Sequence, residues 1–355
     1  MVAIHPDAHA AGDRRKLARS TTWVLVALLL ATAWASLAVG ASGVSLPAAI
    51  GDLLAGRELE ARTRIILWDI RLPRLLTGMM VGASLAVAGT VLQGLFRNPL
   101  ADPGLVGVSA GAGLGAISAI VLGGLLPLGL SEVFGPALVP VMAFAGSWLS
   151  VSVLYLIATR GGRTSVATML LGGIALAAMT AAFSGLLIYI ADDQQLRDLT
   201  FWSLGSLAGS SWSRTLYAAP LMLTALVAAP ALARGLNALA LGESAAHHLG
   251  IPVQRLKTLA ILVVAAAVGA ATAISGGIGF VGIVVPHLLR LATGPEHRAL
   301  LINSALLGAS LLLIADVISR SIVAPSELPI GIITAVVGGP FFLWILLRRR
   351  ANLEI

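Results

Sequence analysis

Charged residues in this chain are grouped so that ten apolar runs separate them, and that grouping decides what it can fold into. The runs fall at about 21–40, 75–96, 104–126, 136–158, 165–190, 215–233, 258–275, 278–289, 299–315 and 328–347. Most approach the roughly 20 residues an α-helix needs to cross the hydrocarbon of a bilayer. Inside lipid every backbone group must be satisfied by the segment itself, and runs this long and continuous do so as helices. With 58% hydrophobic and 11% charged residues, a water-soluble domain is excluded. The expected fold class is an all-α integral membrane protein.

The eighth run is short, so 258–289 reads as one long crossing or as two, and charge asymmetry arbitrates. Arg14, Arg15, Lys16 and Arg19 precede the first run, and Arg348, Arg349 and Arg350 follow the last. Basic flanks favour the cytoplasm, which puts both termini inside and makes the number of crossings even. Ten crossings fit, with 276–279 as the turn that divides the long stretch. Arg97, Arg160, Arg163, Arg234, Arg255, Lys257, Arg290 and Arg298 then lie inside, and Glu58, Glu60, Asp69, Glu132, Asp192, Asp193 and Glu327 outside. This bias accounts for the basic balance of the chain, so nucleic acid is not an expected partner. Without cysteine, disulfides, thiolate metal sites and thiol catalysis are excluded. The first run carries the basic flank and Ala-x-Ala endings of a signal peptide, but nine more runs follow, and an uncleaved anchor is expected.

This organises the chain into a cytoplasmic tail (1–19), a transmembrane domain (20–350) and a C-terminal tail (351–355), with the longest inner loop at about 236–257. That loop alternates apolar and polar groups as one or two short amphipathic helices would, ending at Gly250 and Pro252. Ser45 is placed to cap a helix that opens Leu46-Pro47. Gly104-Leu105-Val106-Gly107-Val108 recurs as Gly279-Phe280-Val281-Gly282-Ile283 at the openings of runs three and eight. Five crossings separate the copies, which is the pattern of an inverted-topology repeat; chance repetition of glycine-rich text is the plain alternative. Gly78 and Gly82, then Gly107, Gly111 and Gly115, recur at helical spacing and point to close helix packing.

Four stretches, 71–74 (RLPR), 93–107 (QGLFRNPLADPGLVG), 276–290 (GGIGFVGIVVPHLLR) and 327–340 (ELPIGIITAVVGGP), carry a resemblance. In their wording, order and separation the chain resembles permease subunits of ABC importers for iron-siderophores, haem and vitamin B12, over most of 65–350. The resemblance implies a fold like that of vitamin B12-importer permeases. It also implies a homodimer in the bacterial inner membrane, two cytoplasmic ATPase subunits and a periplasmic substrate-binding protein. ATP and magnesium would then be held by the partner ATPase. No Gly-rich phosphate loop occurs in this chain, which agrees, and the resemblance implies that the chain is neither an enzyme nor the holder of a permanent cofactor or metal.

The resemblance also assigns roles. The segment 241–252 is similar to the family's coupling loop, with Leu241, Gly242, Glu243, Ala246, Leu249 and Gly250 at the matching positions. There Gly242 permits a sharp bend and Glu243 places a carboxylate at a helix start. An ordinary amphipathic loop helix is the alternative. Arg71, Arg74 and Arg320 match cations that meet acids of the binding protein, where rim charges speed and orient docking. Local pairing competes, because Asp69 is close to Arg71 and Asp316 precedes Arg320 by one turn. Thr164 and Ser165 resemble the cytoplasmic gate, and either could instead cap the fifth crossing.

Along that crossing Met169, Gly173, Leu176, Met179, Thr180, Phe183 and Leu187 recur on one face. They line the pathway between two copies if the face is functional, and ordinary core if it is not. Arg197 at the outer mouth suits an anionic group on the cargo. Adjacent His247 and His248 point apart on a helix and read as solvated, and His287 reads as structural. The outer text QQLRDLTFWSLGSLAG looks most like haem-importer permeases, so haem is the first expectation, with ferric siderophore and vitamin B12 as alternatives. An ion-coupled secondary transporter would want an ionisable residue near the membrane midplane, and no run carries one there. A membrane-embedded enzyme would want clustered His, Asp or Glu at one face, which the chain lacks.

Overall fold

The computed structural model describes residues 14–40, 42–125, 134–161 and 163–351. Parts of both tails, and Glu132, lie outside the described residues. Fifteen α-helices are found among the described residues. In order they are α1 (Arg15–Ala38), α2 (Leu46–Leu54), α3 (Ala61–Arg64), α4 (Leu72–Leu95), α5 (Val108–Leu122), α6 (Leu138–Ala158), α7 (Val166–Ile190), α8 (Asp193–Ser203), α9 (Trp212–Ala228), α10 (Ala233–Ala240), α11 (Glu243–His248), α12 (Val253–Ser275) and α13 (Val281–Thr293). They are followed by α14 (His297–Ser319) and α15 (Ile330–Ala351).

A π-helical turn, Ile65–Arg71, joins α3 to α4 without a break. Among the described residues, eight helical stretches are long and apolar enough to cross a membrane. Two shorter apolar helices, Val281–Thr293 and Ile330–Trp344, coincide with the eighth and tenth runs. α1 reaches back to Arg15, so Lys16 and Arg19 belong to a helix rather than to a tail. Strand pairing among the described residues is confined to a hairpin of β1 (Thr159–Arg160) and β2 (Arg163–Thr164), in register Thr159↔Thr164 and Arg160↔Arg163.

Burial sorts the helices into layers. The window of α4 is 83% buried and that of α12 is 72% buried, whereas α1 and α7 reach only 17%. The two central helices can be central because their surfaces are small. Lipid is as apolar as leucine, so these helices associate through close packing and hydrogen bonds rather than hydrophobic exclusion. Gly82 of α4 lies directly on Gly308 of α14, and Gly89 lies on Gly282 of α13, where any added Cβ would strike a backbone carbonyl. Gly111 and Gly115 of α5 meet Gly146 and Met142 of α6 in the same way. Between these contacts, hydroxyl pairs bridge helices: Thr77 and Thr215 at 2.7 Å, and Thr90 donating to Ser304 at 2.8 Å.

Both copies of the glycine pentapeptide open a helix. Gly107 takes a left-handed φ of 73° at the start of α5, and Phe280 takes 69° at the start of α13. The second copy packs against the residue just before the first, with a Cβ at Gly282 falling 3.3 Å from Pro103 Cδ. The turn expected at 276–279 separates α12 from α13, and Gly276 begins it with φ 70°. The Asn-Pro-Leu-Ala-Asp-Pro hairpin between α4 and α5 is closed by side chains. Asn98 Oδ1 accepts Leu100 N–H at 3.0 Å, and Asp102 Oδ1 accepts Gly104 N–H at 2.7 Å. Burial pushes the Asp102 carboxyl above its ordinary value, against the pull of that N–H.

Candidate functional site

At the end of the bundle that the basic flanks assign to the cytoplasm, the chain between α9 and α12 folds as two short helices. α10 is seated by Leu236 and Leu239, which are buried, and by Gly235, where a Cβ would fall 2.6 Å from Leu256 Cδ1. Its polar side is tied to α14: Asn237 donates to Glu296 Oε1 at 3.0 Å and accepts from His297 N–H at 3.0 Å. Burial pushes the Glu296 carboxyl up. The N–H groups of Ala299 and Arg298 and the Asn237 amide outweigh it, so the group is held below its ordinary value.

Gly242 then takes φ 109°, a conformation open to glycine, and α11 leaves in a new direction. Gly250, at φ 78°, turns the chain again just after α11. Ala246 is buried beneath α11, while Leu241 and Leu249 stand 71% and 63% exposed on either side. The segment is thus rigidly rooted and presents two apolar knobs with Glu243 beside them. Such a surface suits insertion into a cleft of another protein. His247 and His248 are both exposed with ring centroids 6.4 Å apart.

Next to this segment lies the hairpin that carries Thr164 and Ser165. Ser165 caps α7, accepting Thr168 N–H at 3.2 Å. Thr164 is buried, and its peptide is held from α12: Gln254 Oε1 accepts its N–H at 2.8 Å, and Lys257 Nζ donates to its carbonyl at 2.8 Å. Lys257 also forms an ion pair with Glu243 at 2.7 Å. In the sequence Lys257 is one inside charge among several. Its place in the first turns of α12, three residues after Gln254, was the available signal, since the two share a helix face.

Along α7 the structure divides the pathway residues. Met179 and Phe183 are both 55% exposed on the free side of the helix. Met169, Gly173 and Thr180 are buried within the protomer, and Leu176 and Leu187 are partly covered. The seven therefore do not share one open face. The physical reason is the close approach of α7 to α6 and to the start of α5: Leu154 Cδ1 lies 2.8 Å from a Cβ at Gly172, and Leu176 Cδ2 lies 3.5 Å from one at Gly107. Arg197 is exposed on α8 and donates to Gln194 Oε1 at 2.9 Å.

At the opposite end, Arg71, Arg74 and Arg320 are only 4%, 6% and 8% exposed. Arg71 donates to the carbonyls of Leu37 and Ala38 and to Ser42 Oγ, the last at 2.8 Å, rather than pairing with Asp69. Arg74 holds two carboxylates in its fork. Asp316 Oδ1 accepts from Nε and Nη2 at 2.9 and 2.8 Å, and Glu327 accepts from Nη1 and Nη2 at 2.8 and 2.9 Å. Arg320 donates to the Ser36 carbonyl at 2.7 Å and lies 3.5 Å from Asp316. An expectation of open rim cations thus meets a buried network in which Glu327, 35% exposed at its side chain, is the acid nearest solvent. The expected pairing of Asp316 with Arg320 is present, and Arg74 is its closer partner. Nearby, Trp212 Nε1 donates to the Trp68 carbonyl at 2.9 Å, an arrangement typical of the membrane interface.

Comparisons with known proteins bear on this geometry. The family model described as the FecCD transport family matches residues 28–348. The hemin transport system permease protein HmuU of Yersinia pestis is 48% identical over 282 residues, covering 79% of this chain and 83% of the relative. The cobalamin import system permease protein BtuC of Halobacterium salinarum is 43% identical, covering 81% of this chain and 75% of the relative. The vitamin B12 import permease BtuC of Klebsiella pneumoniae is 39% identical, covering 94% of this chain and 96% of the relative. The solved inward-facing structure of a metal-chelate type ABC transporter superposes with a TM-score of 0.81 at 32% identity, covering 93% of this chain and 99% of that one.

Proposed function

The chain belongs to the FecCD transport family, and from that premise we propose that it is the membrane conduit through which an ATP-driven importer moves haem into the cytoplasm. It is a multi-pass permease subunit of an ABC importer in the inner membrane. The observation that carries the cargo is the likeness to a hemin permease, supported by the haem-like wording of α8 and the residues after it. A corrinoid is the second reading, favoured by vitamin B12 permeases that align along nearly the whole chain.

In this reading two copies of the chain pair across α7, whose free face, including Met179 and Phe183, is wide, apolar and unoccupied by the protomer's own helices. Two ATPase subunits, carrying ATP and magnesium, seat α10 and α11. Leu241, Ala246 and Leu249 fit a cleft, and Gly242 and Gly250 set the angle. A periplasmic binding protein docks over the end that carries Arg71, Arg74 and Arg320, its acids competing with Glu327 for the Arg74 fork. Thr164 and Ser165 close the cytoplasmic mouth, Arg197 meets cargo at the outer one, and both termini lie inside. ATP-driven closure of the ATPases rocks one half against the other so that one gate opens as the other shuts.

The complex should show ATP hydrolysis stimulated by haem-loaded binding protein, by about fivefold or more over binding protein charged with ferric siderophore or cobalamin. Equal stimulation by all three would remove haem as the specific cargo. Stimulation by cobalamin alone would install the second reading.

A further inference from the structure

Lys257 is a cation that the proposed conduit leaves without a role. It is 2% exposed, in the second turn of α12, and a buried ammonium is retained only where partners replace its hydration. Its partners come from two different parts of the molecule. Its ammonium pairs with Glu243, the first residue of α11, at 2.7 Å, and donates a hydrogen bond to the carbonyl of Thr164 at 2.8 Å. Gln254, one turn earlier on the same face, accepts the Thr164 N–H at 2.8 Å, so both backbone groups of Thr164 are held by α12. Thr164 ends the hairpin, its Oγ1 3.0 Å from Thr159 Oγ1, and the next residue caps α7.

The route from α11 to α7 is therefore continuous through one ammonium group. Lys257 joins α11 to the hairpin directly, in addition to the chain that runs from Leu249 into α12. The Glu243 side chain is 45% exposed, so whatever covers α11 also dries this pair, and a dry pair is stiffer than a wet one. Pulling the two acceptors apart leaves the buried ammonium short of a partner, which makes separate movement of α11 and the hairpin costly.

We infer that Lys257 is a positioning residue that transmits displacement of α11 to the Thr164 hairpin and the start of α7. The inference rests on the reading that α10 and α11 seat a partner ATPase. A purely structural pin would lower stability and slow every activity together, whereas a transmission joint changes how much cargo moves per ATP spent.

The test uses the full complex of permease, ATPase and binding protein in proteoliposomes. Because the chain has no cysteine, Arg160→Cys can carry a spin label that reports the hairpin-to-hairpin distance across the dimer. Lys257→Met is expected to assemble and hydrolyse ATP within about twofold of the parent while uptake per ATP falls about tenfold, and the nucleotide-dependent change in label distance should vanish. Lys257→Arg, which keeps a donor for both acceptors, should recover much of the loss. Uptake per ATP unchanged in Lys257→Met, or hydrolysis and uptake falling in parallel, would overturn the inference.

Should Lys257→Met fail to fold, Lys257→Gln keeps a donor for the Thr164 carbonyl but not the charge, and the same ratio decides. A fall supports the joint, and an unchanged ratio overturns it. Failure of the parent chain to bind any ATPase would sink the proposed function instead, and is read separately by co-purification.

Discussion

Gly82→Val is expected to remove the monodisperse folded protein from detergent extracts, while Gly113→Val leaves it. The two glycines differ in what stands opposite. A Cβ at Gly82 would drive into the carbonyl of Gly308, with Leu312 Cβ 2.9 Å away, whereas nothing lies within 4 Å of one at Gly113. Overpacking costs about 1–3 kcal/mol where side chains can shift. Here the obstacle is backbone, so α4 and α14 must separate along their contact. These are also the helices that carry Arg74 and Asp316, so the polar network opens with them. Size-exclusion profiles of fluorescent fusions measure the outcome. Equal profiles for the two variants would show that the glycine contact does not hold the bundle together.

The second large effect concerns that network. Arg74→Met leaves Asp316, fully buried, with Arg320 at 3.5 Å as its remaining cation. Removing one partner of a buried pair typically costs about 3–5 kcal/mol, because the stranded charge cannot be hydrated. Asp316→Leu alone should cost less, since Arg74 keeps Glu327 in its fork. The double variant Arg74→Met, Asp316→Leu should be more stable than Arg74→Met, for the stranded carboxylate is gone. Thermal unfolding of the purified permease reports the order, and it does so without the binding protein, so that docking and internal stability are not confused. A double variant no better than Arg74→Met would mean that Asp316 is not stabilised by this cation.

Much of the architecture could be read before the coordinates. Each of the ten apolar runs coincides with a helix, because uncharged length is a constraint the bilayer imposes residue by residue. Local punctuation was equally legible. Ser45 accepts Ala48 N–H as a cap should, Gly242 makes the bend before α11, and the glycine cluster at 276–279 divides α12 from α13.

Direction around a helix was not legible. α7 is apolar on every side, so the 3.6-residue spacing that grouped Met169 with Phe183 could not say which side meets the protomer. That is decided by Leu154 of α6, which closes on Gly172, and by Gly107 at the start of α5, which Leu176 of α7 approaches. The starts of α5 and α13 were likewise placed early, since left-handed residues at Gly107 and Phe280 delay them. The Lys257 joint was hidden for a third reason. A lysine near a helix start usually reaches water, and only the arrival of Thr164, 93 residues earlier, turns it inward. Arg71 and Arg320 are similar: their acceptors include the carbonyls of Leu37, Ala38 and Ser36, and carbonyls leave no signature in a sequence.

The central claim is that this polypeptide is a passage driven by a separate motor, and uphill movement of haem into sealed vesicles tests it most directly. Vesicles holding the permease with its ATPase, supplied with loaded binding protein and ATP, should accumulate haem, while permease alone under an imposed proton or sodium gradient should accumulate none. Accumulation by the lone permease on such a gradient would contradict the account.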